Sequence, residues 1–322
     1  MSEPLEFDGE RFTPESVREI WYEHMHRYAF AAQFVAGLSV LDAACGEGYG
    51  AAILARKARS VTAVDRSEKA ISHARRRYAA GNVEFSEADC CDLPFDDHRF
   101  DCIVSFETIE HLEDQAGMLA EFRRVLKPSG FLLISSPDKA VYSDQQNFDN
   151  PHHVRELYAD EFRAVLDAHF PASRMFGQKL LFHSAIWAIG GEGSEASSEA
   201  SGRTLEARLQ SAGEDGPREI ERPVQPAMYL LAICAASEAA LPQIEHALWL
   251  FDDAEESVYR HYQHEIRKNM QAGTILAERE QALAERGQAL VQAREELAAA
   301  RSEPERQRSW LARLGLSRRG RR

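Results

Sequence analysis

The 322-residue chain contains no apolar run of the ~20 residues that a membrane-spanning helix needs. Its start, MSEPLEFDGERFTPES, is polar and acidic, without the basic and then apolar stretches of a secretory leader. Basic charge is in deficit: 38 Lys and Arg stand against 52 Asp and Glu, a formal net charge of −14. That excludes a general nucleic-acid binder, which needs a basic face to neutralise phosphates. Cysteines number only five (Cys45, Cys90, Cys91, Cys102, Cys234), and none stand at CxxC or zinc-finger spacing. They read as reduced thiols of a cytoplasmic protein. No His, Cys and carboxylate residues recur at metal-ligand spacing, so no metal is expected.

What is present is an alternation of short apolar runs with helical patterns. Residues 1–36 form a lead-in whose helix begins near Thr13-Pro14-Glu15-Ser16, a helix-start signal, and lies as a lid. SVLDAA, SVTAVD, NVEFSEAD, FDCIVSFE and FLLISSP read as five strands. The helices GAAILARKA, SEKAISHARRRYAA and AGMLAEFRRVL lie among them, and Lys127–Gly130 is a turn before the fifth strand. Such alternation predicts an α/β fold with right-handed crossovers and a parallel, doubly wound sheet. A further helix, RELYADEFRAVLDAHF, precedes two apolar segments, KLLFHSAIWAI and AMYLLAICAAS. Paired antiparallel, these close one edge as a hairpin and bring the sheet to seven strands. The domain is thus predicted over residues 37–237. The Gly-, Ser- and Glu-rich segment 191–222 has too little apolar content to fold alone and is expected to be a disordered insertion.

Beyond residue 238 the pattern turns helical. Leu276, Leu283, Leu290 and Leu297 recur every seven residues, but Glu280, Gly287, Arg294 and Arg301 occupy the second seam position. This predicts a weak, coiled-coil-like extension over 238–305, suited to self-association. Residues 306–322 contain seven arginines, no acid, and the apolar Trp310, Leu311, Leu314 and Leu316. A basic amphipathic segment of this type fits an anionic membrane surface at the inner face, or a partner protein such as a glycosyltransferase.

The chemistry centres on VLDAACGEGYG, residues 40–50. Gly46, Gly48 and Gly50 make a GxGxG turn between a strand and a helix, where doubly wound folds bind nucleotide-like ligands. Ala51 stands where the dinucleotide fingerprint requires glycine, and there is no Walker lysine. Asp42 and Glu47 would repel a pyrophosphate and attract a ligand bearing ammonium or sulfonium charge. Asp65 closes the second strand and can accept both hydroxyls of a ribose. Asp89 closes the third and can meet an adenine amino group. Three carboxylates at three successive strand ends describe an adenosine with an amino-acid tail.

LDAACGEGYG, AVD, EADCCDLPF, FDCIVSFETIEHL and RVLKPSGFLLISSP together resemble the class I S-adenosylmethionine-dependent methyltransferases over residues 40–137. The resemblance implies a Rossmann-like fold and S-adenosyl-L-methionine as cofactor. It implies cofactor contacts from Asp42, Ala44, Gly46, Glu47, Gly48, Asp65, Arg66, Asp89, Cys90 and Phe106, with Arg27 and Tyr28 from the lead-in helix. GERFTPE, HMHRYAFA, SFETIEHLED, SPDK with Tyr142, and NPHHVREL resemble more narrowly the O-antigen chain-terminating methyltransferases of surface-polysaccharide biosynthesis. Some members of that group also carry a kinase, but this chain lacks HRD, DFG and a kinase glycine loop. Direct O-methylation of a sugar hydroxyl is therefore the implied reaction, with a small-molecule acceptor such as a quinone as the alternative. A third reading is a non-catalytic scaffold of a glycan-assembly complex.

A hydroxyl acceptor needs a base near the transition state. The candidates are His111 in IEHLED and His153 in NPHHVREL, with Glu107 and Glu110 to orient a base or hold a sugar hydroxyl. Arg155 and Glu156 read as a surface ion pair.

Overall fold

In the computed structural model the described residues are 19–181, 183, 209–213, 216–220, 223, 225–252 and 256–314. The chain divides into two units, residues 1–255 and 256–322.

The first unit is built on a seven-stranded sheet. Its strands are β1 (Ser39–Ala43), β2 (Ser60–Asp65), β3 (Val83–Glu87), β4 (Phe100–Ser105), β5 (Leu126–Pro137), β6 (Ala172–Gln178) and β9 (Tyr229–Ala235), in the order β3-β2-β1-β4-β5-β9-β6. The first five run parallel, and β9 lies antiparallel between β5 and β6. This is the Rossmann-like, doubly wound sheet predicted from the sequence. Strand order reverses between β1 and β4, and the crevice outside their carboxyl ends is where such folds place ligands. Val40, Leu41, Asp42 and Ala43 are all buried because both faces of β1 are covered. One core layer contains Val40, Leu54, Ile71 and Val104, and the other Leu41, Ile103, Phe122 and Phe162.

The helices α1 (Glu19–Ala31), α2 (Tyr49–Leu54), α3 (Glu68–Tyr78), α4 (Gln115–Val125) and α5 (Ala159–Asp167) complete this unit. Ser67 caps α3 by accepting from the Ala70 N–H, and Asp114 caps α4 by accepting from the Gly117 N–H. The predicted start of α1 at Thr13 lies outside the described residues. What is described is no loose lid: Arg27, Tyr28, Phe30 and Ala31 are buried in the sheet's own core.

The edge differs from expectation. AMYLLAICAAS supplies β9, but its partner is ASRMFGQ, residues 172–178, rather than KLLFHSAIWAI. Phe170 and Ala172 are buried, which anchors the chain as it leaves α5 and commits the residues that follow at once to the edge. Lys179–Leu181 carry no strand, and 184–189 lie outside the described residues. The turn expected at Lys127–Gly130 is a bulge inside β5. Pairing jumps from Phe100↔Leu126 to Cys102↔Phe131, so the strand is longer than its apolar run. Part of the segment expected to be disordered is folded: β7 (Leu209–Gly213) and β8 (Gly216–Ile220) form an antiparallel hairpin, which backbone pairing sustains without an apolar pattern. Residues 191–208 lie outside the described residues.

The second unit is one helix, α6 (Ser257–Arg313), about 85 Å long at ~1.5 Å per residue. The extension is therefore helical from 257 rather than 238; residues 241–252 are irregular after a single 3-10 turn at Glu238–Ala240. The predicted basic tail begins inside α6 and not after it. Leu276, Leu283, Leu290 and Leu297 all face solvent, as do Trp310, Leu311 and Leu314. Among the described residues no helix is long and apolar enough to cross a membrane.

Candidate active site

The glycine turn after β1 is held by Asp65. Its Oδ2 accepts from the Gly46 N–H at 2.9 Å and its Oδ1 from the Ser67 N–H at 2.9 Å. Ala44, Gly46 and Gly48 adopt positive φ of 62°, 55° and 92°. The first is a strained position for a residue with a Cβ. Clearance at the other glycines serves the protein itself. A Cβ on Gly48 would lie 2.7 Å from the Phe85 ring, and one on Gly50 would lie 2.0 Å from the Tyr28 ring. The glycines thus let α1 and β3 close around the turn, a use not evident in the sequence.

Glu47 is the clearest departure from expectation. Its carboxylate is buried and turned toward α3, where Tyr78 donates to it at 3.2 Å, and His73 and Arg77 lie 3.5 and 3.8 Å away. One hydrogen bond and two neighbouring basic side chains, all on one helix, hold it there, so it anchors the turn to α3. Arg66 is exposed. Asp89 is exposed just past β3 and accepts from the Cys91 N–H at 2.8 Å. The buried Cys90 thiol is pushed up to about 12 by desolvation, so it packs as a neutral group. Phe106 packs edge-on against Tyr28, with centroids 5.2 Å apart.

Asp42 and Arg27 are both buried, and neither is fully used by the protein. Asp42 Oδ1 accepts from the Tyr28 hydroxyl at 3.1 Å, while Oδ2 has no partner. Desolvation raises this carboxyl to about 7, against the opposing Tyr28 hydrogen bond. Arg27, 1 % exposed, donates through Nη1 to Gln178 Oε1 at 2.8 Å and lies 4.7 Å over the Tyr229 ring. Its Nε and Nη2 have no acceptor. Glu23 accepts from the Tyr229 hydroxyl at 3.0 Å and is lifted to about 7 by burial, with Arg27 opposing. The Tyr49 hydroxyl lies 2.9 Å from His24 Nδ1, and its ring stands edge-on to Tyr28 at 5.3 Å. Glu23, Gln178 and Tyr229 are site residues that sequence reasoning missed. Gln178 and Tyr229 join through the β6–β9 edge and no local motif marks them, whereas Glu23 stands four residues before Arg27 on α1, a spacing the sequence does show.

A second group gathers beyond β4 and β5. Glu107 has a positive φ of 51°. Its N–H donates to Ser135 Oγ at 3.1 Å, and the Ser135 hydroxyl donates to its Oε1 at 2.5 Å. Glu110 is 1 % exposed, its Oε2 is unpartnered, and burial raises its carboxyl well above the ordinary range. His111 Nδ1 lies 3.0 Å from the His152 carbonyl oxygen. A carbonyl only accepts, so Nδ1 donates and Nε2 carries the lone pair. His153 Nδ1 donates to Glu156 Oε1 at 2.5 Å, and its Nε2 meets the Asn150 amide nitrogen at 3.0 Å. The two imidazoles stand edge to face at 5.0 Å, and Tyr142 stacks on His153 at 5.4 Å. The Arg155–Glu156 surface pair is not formed: the Glu156 carboxylate is taken by His153 and the Ser143 hydroxyl. His111, His153, Glu107 and Glu110 thus lie in one neighbourhood, with Ser135, Tyr142 and Glu156 added by the fold.

Beside Arg27 opens a cleft of about 840 Å³ between α1, β6 and residues 247–251, with Tyr22, Phe30, Phe176, Trp249 and Phe251 in its wall.

Comparison with known proteins bears on these features. The family model described as "Methyltransferase domain" matches residues 41–134. A probable S-adenosylmethionine-dependent methyltransferase of Mycobacterium tuberculosis is 42% identical over 183 residues, 56% of this chain and 65% of that protein. The chain thus spans just under two thirds of that relative's length. One of Mycolicibacterium smegmatis is 36% identical over 217 residues, 66% of this chain and 80% of its own length. A demethylmenaquinone methyltransferase of Clavibacter sepedonicus is 45% identical over 102 residues, 31% of this chain and 41% of that protein.

Proposed function

The chain belongs to the S-adenosylmethionine-dependent methyltransferases, and from that premise we propose that it methylates a hydroxyl of a sugar in a bacterial surface polysaccharide or glycolipid. The observation that carries the cofactor half of the reading is a pair of complementary buried groups left open by the protein. Asp42 Oδ2 is an acceptor without a donor, and Arg27 Nε and Nη2 are donors without an acceptor. Leaving such groups unmet costs ~1–3 kcal/mol each, more when charged, so they point to a ligand that meets both. An amino-acid tail with its ammonium toward Asp42 and its carboxylate toward Arg27 does so. Asp65, at the end of β2, would take the ribose hydroxyls, and Phe106 would pack against the adenosine. When bound, S-adenosylmethionine supplies a sulfonium-borne methyl group open to in-line displacement by oxygen.

The protein's own part is alignment, exclusion of water and handling of one proton. The His111 Nε2 lone pair is fixed by the Nδ1 hydrogen bond to His152, and His153 is fixed likewise by Glu156. The His111 imidazole can receive the acceptor's hydroxyl proton directly, and the His153 imidazole can do so once the Asn150 amide leaves its Nε2. Glu107, buttressed by Ser135, offers a carboxylate to a neighbouring hydroxyl. This density of polar groups favours a sugar acceptor.

The aromatic-walled cleft beside Arg27 supports a second reading, methylation of an apolar small molecule. The likeness to the demethylmenaquinone methyltransferase supports it as well. Mass spectrometry of surface glycans from cells with and without the protein separates the two. A single methyl difference on a sugar is expected. Identical glycans, together with an unmethylated quinone or lipid in the deficient cells, would move the assignment to the second reading.

A further inference from the structure

We propose that Glu110, His111 and His153 bind a divalent transition-metal cation beside the methyl-transfer site. One ligand atom from each residue lies within 4.8 Å of the other two, the one such cluster among the described residues. Atoms at the corners of a triangle of that size sit about 2.8 Å from its centre, so closing onto bonds of ~2.0–2.2 Å needs shifts of under ~1 Å.

Two features favour a cation over an incidental grouping. Glu110 is 1 % exposed and its Oε2 meets no donor, so a buried acceptor is left open; its other oxygen lies 3.9 Å from His111 Nε2. Both imidazoles are pinned from behind, His111 by the His152 carbonyl and His153 by the Glu156 carboxylate. Such bonds fix the tautomer and orientation of metal-binding histidines. The Asn150 amide nitrogen stands 3.0 Å from His153 Nε2, so that nitrogen holds the ring's lone pair, and a cation takes it only as the Asn150 amide turns away. The linear sequence conceals the set, because Glu110-His111 and His153 lie on separate connections after β4 and β5. Two imidazoles and one carboxylate suit Zn²⁺, Co²⁺, Mn²⁺ or Fe²⁺ better than Mg²⁺ or Ca²⁺. Three protein ligands leave coordination positions open to oxygens. On the methyl-transfer reading, those positions would take hydroxyls of the acceptor, a vicinal diol fitting two of them, and with both imidazoles ligating the cation the hydroxyl proton would pass to Glu107 in their place.

The test uses the full-length chain without an affinity tag, stripped with chelator and dialysed. Co²⁺ is titrated with absorption as the readout, and Zn²⁺ by calorimetry. One cation per chain is expected, with a visible Co²⁺ band. His111→Ala and Glu110→Gln should abolish both signals, and Glu156→Gln, a change behind the ligand, should weaken binding ~10- to 100-fold. His111 is partly exposed, so its replacement keeps the test open if a change at Glu110 disturbs folding. Cation binding that survives His111→Ala and Glu110→Gln unchanged would overturn the site and assign the signal to others of the twelve histidines. So would absence of stoichiometric binding by the unaltered chain. S-adenosylmethionine binding, measured on the same samples, keeps the outcome separate: a chain that takes the cofactor and no cation loses this site alone.

Discussion

Replacing Arg27 with methionine should cost cofactor affinity far more than stability. The side chain is 1 % exposed and spends only Nη1 on the protein, through Gln178. Its Nε and Nη2 remain open. In the free protein the two unmet donors are a burden of ~1–3 kcal/mol each, which an apolar chain of similar length removes. Against that relief stand the Gln178 bond, the contact over Tyr229, and the loss of positive charge beside Glu23 and Glu107. These oppose one another, so the melting temperature should move by no more than about 3–6 °C, the range for ~1–2 kcal/mol in a domain of this size. With cofactor, two charge-assisted hydrogen bonds disappear at ~1.5–3 kcal/mol each, partly offset by water at the ligand's carboxylate. A net ~2–4 kcal/mol remains, a rise in Kd of about 30- to 700-fold. Calorimetry and thermal melts on the same preparations measure both quantities. An Arg27→Met variant that binds S-adenosylmethionine within threefold of the parent, whatever its melting temperature, refutes the assignment of those donors to the ligand.

Asp42 gives a pH signature. Burial raises its carboxyl to about 7, so a cationic group must displace a proton below that pH. Cofactor affinity should rise by at most about tenfold per pH unit up to pH 7 and then level off, and the rise should vanish in Asp42→Asn. For the free protein the sign is opposite. The folded state holds this proton more tightly than the unfolded chain, so Asp42's contribution to stability declines from about pH 4 to 7, and a pH series of melts on parent and Asp42→Asn should differ accordingly. Gly50→Ala drives a methyl group to 2.0 Å from the Tyr28 ring and should destabilise by ~1–3 kcal/mol. It should also weaken cofactor binding, because Tyr28 holds Asp42; an unchanged melt with unchanged Kd contradicts that packing. The exposed Trp310, Leu311 and Leu314 predict that the full chain sediments with anionic liposomes and that a chain stopped at Pro304 does so less. Equal sedimentation removes the membrane role. Sedimentation equilibrium on the same truncation should still show association, if Leu276 to Leu297 form the seam.

Legibility from sequence followed the range of the forces involved. The parallel strands and their helices were readable because each buried strand is a short apolar run and each helix carries its own period. The loop from Asp42 to Gly50 was readable because a strand, a tight turn and a helix occupy eleven consecutive residues. The edge strand was not. Its residues, ASRMFGQ, are less apolar than KLLFHSAIWAI, and only the burial of Phe170 and Ala172 selects them. Glu47 misled because a charge in a glycine turn looks the same whether it faces a ligand or α3. The direction was set by His73, Arg77 and Tyr78, some thirty residues away. Gln178 and Tyr229 were invisible for the same reason. They meet Arg27 only once β6 and β9 close the sheet edge, whereas Glu23 shares its face of α1 four residues earlier.

The central claim is that the buried, half-used Asp42 and Arg27 complement one ligand. Isothermal titration of S-adenosylmethionine into the unaltered full-length chain, with Asp42→Asn alongside, tests it most directly. The account predicts one site per chain near neutral pH and a marked loss of affinity in the variant. A chain that is folded by its melt yet takes up no S-adenosylmethionine, or a variant that binds it as tightly as the parent, would contradict the account.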